Sequence, residues 1–364
     1  MKRVFEIIHA LIAVAVISAA CARVQSEDPG GGEIRFQVAG YASATGTRAP
    51  SDYKDGYGSV PFGAYAWYKD ANPSNNADFM VNQKVAYNAD ENEWFTVGNA
   101  YYWPKGGSLD FICYSPYSDA GIPDVDEDRI SYNSWDVAAN PDTDLLYGDK
   151  KTGLIENKTT YYYSGVPVLF RHALARVAFT VRLAYSEMVP DTGDKTRWEV
   201  TLNSVKLKDI HMRGSLDLTL EGGSWKLPEN GVWLPDDSVR DMEFDCSALS
   251  VLSTTDPQNV GDAFFVLPQP LNLGQKLVLN LTIETYRDTG SGYPAEPFIR
   301  EVNLDMEAPL RTDSFNAWSM NQNIRYNLIL APSLSPDGVN PVEVNFDPAV
   351  AGWETVELET IVFI

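Results

Sequence analysis

The stretch ALARVAFTVRL constrains the fold of this chain more than any other. Ala175, Val177, Phe179, Val181 and Leu183 alternate with Arg176, Thr180 and Arg182. That period of two separates an apolar from a polar face only if the backbone is extended. The same alternation recurs along the chain. EIRFQV aligns Ile34, Phe36 and Val38, and SLDFICY aligns Leu109, Phe111 and Cys113. GSLDLTL aligns Leu216, Leu218 and Leu220, and KLVLNLTIETY aligns Leu277, Leu279, Leu281 and Ile283. NIRYNLIL aligns Ile324, Tyr326, Leu328 and Leu330, and VEVNF aligns Val342, Val344 and Phe346. Turn formers such as Gly106-Gly107, Gly222-Gly223 and Ser335-Pro336-Asp337-Gly338 punctuate these runs. Many short strands with such punctuation predict an all-β chain of two tandem β-sandwich domains, 33–168 and 169–364. Asn133 to Asn140 is the one stretch that reads as a short helix.

Charge excludes some functions. With 28 Lys and Arg against 50 Asp and Glu, the formal net charge is −22. A chain this acidic repels nucleic acid and anionic membrane surfaces, both of which are bound through positive charge. The aromatic load, Tyr 19, Phe 15 and Trp 9, suits strands. Beyond Cys21 the cysteines are Cys113 and Cys246, one in each expected domain, so two separate buried thiols are expected rather than a disulfide framework.

The first residues read as an export signal. Lys2 and Arg3 precede a mostly apolar run from Ala10 to Ala20, which is too short to span a bilayer as a helix. Two outcomes fit. Ser18-Ala19-Ala20 before Cys21 resembles a bacterial lipobox, with Ser18 a departure from its usual leucine; residues 1–20 would then be removed and Cys21 lipidated. Residues 21–32, which include Ser26-Glu27-Asp28, would be an acidic, glycine-rich tether. Acyl chains would hold the protein to a membrane without spanning it. The alternative is cleavage after Ala20 or Ala22 with Cys21 incidental.

No enzymatic motif stands out, and neither a catalytic residue nor a cofactor is expected. Beyond the export signal the only histidines are His172 and His211, and no nucleophile elbow, HExxH, P-loop or dinucleotide fingerprint is present. His172 in FRHALARV is expected to be structural. Asp124, Asp126, Glu127 and Asp128 offer oxygen ligands to a hard cation but lack the spacing of an EF-hand loop, as do Asp142 and Asp144. They are expected to be solvated, and no metal is assigned.

The order of longer motifs is distinctive. PFGAYAWY (61–68), YYWPKGGSLDFICYSP (101–116), DLLYG (144–148) and VPVLFRHALARVAFTV (166–181) are followed by VKLKDI (205–210), FFVLPQPL (264–271), LVLNLTIE and VNFDPAVAGW (344–353). Together with the lipobox-like start, this resembles the fimbrillin family, the type V pilins and fimbrillin-like surface lipoproteins of Bacteroidales, over essentially the whole mature chain. The resemblance implies immunoglobulin- or transthyretin-like sandwiches, location at the outer membrane and cell surface, and a structural rather than enzymatic role in a fimbria. It also implies assembly by strand exchange, in which an arginine- or lysine-specific surface protease removes the first strand and another pilin subunit, of the same or another kind, donates a replacement.

On that resemblance the removable strand is the one bearing Ile34, Phe36 and Val38. The cut falls between Arg48 and Ala49 in GTRAP, a loop of small and polar residues of the kind proteases attack, with Lys54 less well placed. The donor is TVELETIVFI (355–364), with Val356, Leu358, Thr360, Val362 and Ile364 on one face. These ten residues equally suit the last strand of their own sandwich. A second reading is a monomeric surface lipoprotein binding a glycan or protein through exposed Trp67, Trp94, Tyr101, Tyr102 and Trp103. The ligand on host or bacterial surfaces is not legible.

Overall fold

The computed structural model describes residues 31–39, 60–156, 165–189, 194–236 and 239–332, and the backbone of Glu354–Phe363. Strands are the dominant regular structure of the described chain, and its only helical segments are the short 3-10 turns Pro73–Asn75 and Glu229–Gly231.

The first strands are β1 (Arg35–Ala39), β2 (Phe62–Lys69), β3 (Ala77–Asn88), β4 (Glu93–Thr96) and β5 (Ser108–Ser115). Next come β6 (Asp124–Asp126), β7 (Arg129–Asp136), β8 (Leu146–Gly148), β9 (Lys151–Leu154) and β10 (Val166–His172). Seven of them pair in the order β2-β3-β4-β1-β10-β8-β5, and β5 pairs back with β2, so the sheet closes into a ring; β8 pairs with the C-terminal end of β5 and β9 with its N-terminal part. Closure removes open edges, which otherwise invite foreign strands. The interior is filled by Ile34, Phe36, Phe62, Ala64, Ala66, Trp94, Leu109, Phe111, Cys113, Val166, Val168 and Phe170.

β2 and β5 are buried on both faces. Leu109, Phe111 and Cys113 point into the ring, whereas Ile112 and Tyr114 on the opposite face of β5 join a second, larger core. That is why β5 is buried nearly throughout although its sequence alternates.

The remaining strands are β11 (Ala175–Leu183), β12 (Glu187–Met188), β13 (Lys195–Ile210), β14 (Arg213–Glu221) and β15 (Ser224–Lys226). They continue with β16 (Leu234–Pro235), β17 (Arg240–Val251), β18 (Gln258–Asn259), β19 (Phe264–Val266) and β20 (Gln269–Pro270). The last are β21 (Lys276–Asp288), β22 (Ile299–Pro309), β23 (Ala317–Trp318), β24 (Gln322–Ala331) and β25 (Glu354–Phe363). One sheet, β18-β11-β24-β25, and another, β12-β13-β21-β22 with β17 on β13, enclose the larger core as a sandwich. β11 and β24 run parallel with Val177 beside Ile324, Phe179 beside Tyr326 and Val181 beside Leu328, so like faces coincide. Polar groups within this core are satisfied: Trp318 Nε1 donates to the Tyr326 hydroxyl at 2.9 Å, which donates to the Leu310 carbonyl at 3.0 Å.

A third sheet, β15-β14-β7-β6, joins strands from both sides of residue 168. β7 and β14 pair Tyr132 with Leu216 and Ile130 with Leu218, all four within the larger core. The helix expected over Asn133–Asn140 does not form. β7 runs to Asp136 with a bulge at Ser134, where φ is +56°, and turns follow.

Candidate functional site

β1 occupies a slot between two neighbours. It runs parallel to β10, with Phe36 beside Val166 and Val38 beside Val168, and antiparallel to β4, with Phe36 beside Trp94. Alternation sends Ile34 and Phe36 fully into the ring's interior, and Val38 packs against the same cluster half-buried. The Phe36 ring meets Phe62 edge-on at 5.6 Å and Phe111 at 6.0 Å, the geometry aromatic quadrupoles favour. At the entry, Ile34 N donates to the Tyr101 carbonyl at 2.7 Å and Trp103 N to the Gly32 carbonyl at 3.1 Å. Gly165, just ahead of β10, has φ of +79°, and a Cβ there would strike the Arg35 and Phe36 backbone. Glycine is therefore required where β10 passes β1.

The outward side of β1 carries a charge cluster that sequence reasoning missed. The Arg35 guanidinium lies 3.3 Å from Glu33 and 3.3 Å from Glu91, and it also pairs with Glu93. Glu91 and Glu93 come from the β3–β4 turn and the start of β4, far along the chain, and no local pattern links them to Arg35.

The C-terminal strand lies along its own chain. β25 pairs in parallel with β24, with Val356 opposite Ile324, Leu358 opposite Tyr326, Thr360 opposite Leu328 and Val362 opposite Leu330. Ile364 lies outside the described residues, as do Cys21, Arg48, Ala49 and Lys54.

The five aromatics considered as a binding platform are dispersed. Trp94 and Trp103 are buried in the ring and Tyr101 packs against that core, while Trp67 stacks on Tyr65 against the other core. Tyr102 alone among them is exposed. Of the acids in the 124–128 run, Asp124 and Asp126 are exposed, and Glu127 and Asp128 are engaged in ion pairs. Glu127 pairs with Lys69, and Asp128 lies 3.0 Å from the buried Lys150, which also faces Asp110 at 3.7 Å. No cluster of three or more metal-ligating side chains occurs among the described residues.

His172 Nδ1 lies 2.6 Å from the buried Asp144 carboxylate, joining the end of β10 to the segment before β8. His211 donates its backbone N–H to Gln269 Oε1 at 2.9 Å. Cys113 and Cys246 are free thiols. Burial pushes the Cys113 thiol far up, and burial with the Asp245 charge pushes Cys246 up to about 11. Cys113 is fully within the ring, but Cys246 is only half-buried, because β17 is a sheet edge. No helix among the described residues is long and apolar enough to cross a membrane.

In fold the chain is similar to a fimbrial protein from Bacteroides vulgatus ATCC 8482, at 15% identity over 81% of this chain and 94% of that one, with a TM-score of 0.51. It is also similar to a candidate cell adhesion protein from Bacteroides uniformis ATCC 8492, at 14% identity over 91% of this chain and 98% of that one, with a TM-score of 0.46. No curated protein matches it. The profile of a family described as fimbrillin-like matches residues 47–353, most of the sequence, and the chain belongs to that family.

Proposed function

We propose that this protein is a structural subunit of a fimbria-type surface polymer that serves adhesion. In this reading it is exported as a precursor lipidated at Cys21 and reaches the outer surface of the outer membrane. A protease specific for arginine or lysine cuts after Arg48, and the strand bearing Ile34, Phe36 and Val38 yields its place to a strand from another subunit. The observation that carries the reading is the slot itself. β1 completes a closed ring by pairing with β4 and β10, yet its C-terminal connection runs through the segment that holds Arg48. Withdrawal of β1 would open hydrogen-bonding edges on both neighbours and uncover the pockets of Ile34 and Phe36, each worth about 1.5–3 kcal/mol of apolar burial. A replacement strand would restore both kinds of interaction.

The strand 355–364, with Val356, Leu358, Thr360, Val362 and Ile364, is the segment this chain would donate in turn. It pairs with β24 of its own chain, so donation exchanges one set of backbone partners for another. A donor and an acceptor at different places on one molecule make a head-to-tail contact, which propagates into a filament when its rotation does not close. The glycan-binding alternative loses its platform with the burial of Trp94 and Trp103.

The test is the intact mass of the mature chain taken from the surface of its own host, alongside an Arg48→Ala variant. The expected wild-type polypeptide begins at Ala49, and the variant keeps its N-terminal segment and stays unpolymerised. A single species beginning at acylated Cys21 in the wild type would overturn strand removal.

A further inference from the structure

The slot is selective in charge as well as in shape. Arg35 is the cation that β1 places among Glu33, Glu91 and Glu93. Glu33 belongs to the same segment as β1 and would leave with it. Glu91 and Glu93 belong to the ring and would stay. One of the Glu93 oxygens lies under the Arg35 guanidinium, while both Glu91 and Glu93 remain partly exposed. A strand that refills the slot without a cation at that position sets an apolar group or another acid beside two carboxylates that have lost their counter-charge. Charge-assisted bonds between guanidinium and carboxylate are the strong kind, and like charges on adjacent strands oppose pairing.

The chain's own C-terminal strand fails this requirement. The outward positions of the slot are those of Arg35 and Gln37, since Ile34, Phe36 and Val38 point inward. Setting Val356, Leu358 and Thr360 at the inward positions puts Glu357 and Glu359 at the outward ones. Sliding by two residues puts Glu359 at the Arg35 position. Sliding by two more puts Ile361 and Phe363 there, apolar side chains beside two carboxylates. No register offers a cation, because 354–364 contains none.

We propose that the slot of this subunit takes a strand from a different protein, one with a basic residue between two inward apolar residues at the position of Arg35, and that it discriminates against the tail of its own kind. This rests on the strand-exchange reading above and makes the subunit a partner in a mixed polymer. Rejection of the wrong strand would come from the repulsive pair as much as from the attractive one.

The experiment uses the full chain cut after Arg48, the single cut verified by intact mass, and labelled synthetic peptides in excess. Four peptides are compared: residues 31–40, the same with Arg35→Glu, residues 354–364, and the same with Glu357→Arg and Glu359→Arg. At low salt the first should exchange into the slot at least tenfold more tightly than its Arg35→Glu form. The arginine-bearing tail should bind at least tenfold better than the natural tail. Both differences should shrink in 0.5 M salt, as interactions between exposed charges do, and in a chain carrying Glu91→Gln and Glu93→Gln. Should that variant fail to fold, the peptide-side reversals and the salt series decide alone. A natural tail that binds as tightly as residues 31–40 overturns the charge selection and leaves strand exchange standing. Failure of every peptide to enter, residues 31–40 included, overturns strand exchange and the selection with it.

Discussion

Gly63 lies on β2 directly opposite Tyr114 of β5, and a Cβ built there would overlap the tyrosine ring. Tyr114 has nowhere to go. It is fully buried, and its hydroxyl donates to Asn82 Oδ1 at 2.6 Å. Gly63→Ala should therefore destabilise the chain by about 1–3 kcal/mol, the usual cost of overpacking, read as a fall in the urea midpoint at unchanged slope. The cysteines give a second residue-scale outcome. The thiolate is the reactive form, and with a pKa of about 11 the Cys246 thiol is almost wholly protonated at pH 8. Its alkylation should speed up roughly tenfold per pH unit between pH 8 and 10, with Cys113 inert until the chain unfolds, as site-resolved mass spectrometry would show. Two separate buried thiols are expected from the sequence because the cysteines fall in different expected domains, and of the two only Cys113 lies in a run read from the sequence as alternating. The half-exposure of Cys246 was not legible, because alternation says which face a residue takes and not whether its strand ends up central or at an edge.

Among the elements, the hairpin of β6 and β7 shows how a solvent-facing acidic run becomes structural. Glu127 and Asp128 at its turn reach Lys69 on β2 and Lys150 just before β9, and Lys150 is nearly buried with Asp110 beside it. Asp110 in turn accepts the Gly153 N–H at 2.7 Å. Replacing Lys150 by Met removes the shared cation and leaves a buried carboxylate without its charge partner. Loss of about 1–3 kcal/mol is expected from the unpaired buried group. A Lys150→Met, Asp110→Asn double variant should recover part of it, which thermal melts of the three proteins would reveal. Most strands were legible from alternation, β11, β14, β21 and β24 above all. β7 was not, because the bulge at Ser134 shifts its phase and makes the following residues mimic a helical spacing. The β1 slot was half legible. Ile34, Phe36 and Val38 declared an inward face, but the Glu91 and Glu93 that flank Arg35 are brought there only by the pairing of β1 with β4.

For the molecule as a whole, the question is whether the halves on either side of residue 168 stand alone. The sheet that joins them argues otherwise. β7 and β14 pair over most of their lengths, Arg129 meets Asp217 at 2.7 Å, and Arg240 meets Asp136 at 3.2 Å. Trp225 Nε1 donates to the Gly148 carbonyl at 2.8 Å, and Tyr114 of the ring strand β5 lies in the same core as Leu216 and Leu218. A fragment of residues 33–168 would expose Ile130 and Tyr132 on a β7 left with β6 as its one partner, together with the outer faces of β2 and β5. Such a surface is a strand-pairing and aggregation hazard. The full chain is therefore expected to unfold in one transition, with tryptophan fluorescence and far-ultraviolet circular dichroism giving coincident urea curves. Separately expressed, residues 33–168 should bind a hydrophobic dye or precipitate, and co-expression with 169–364 should restore solubility. A soluble 33–168 fragment whose own midpoint equals that of the intact chain would show instead that the ring is self-sufficient, and that the joining sheet forms only after both halves have folded.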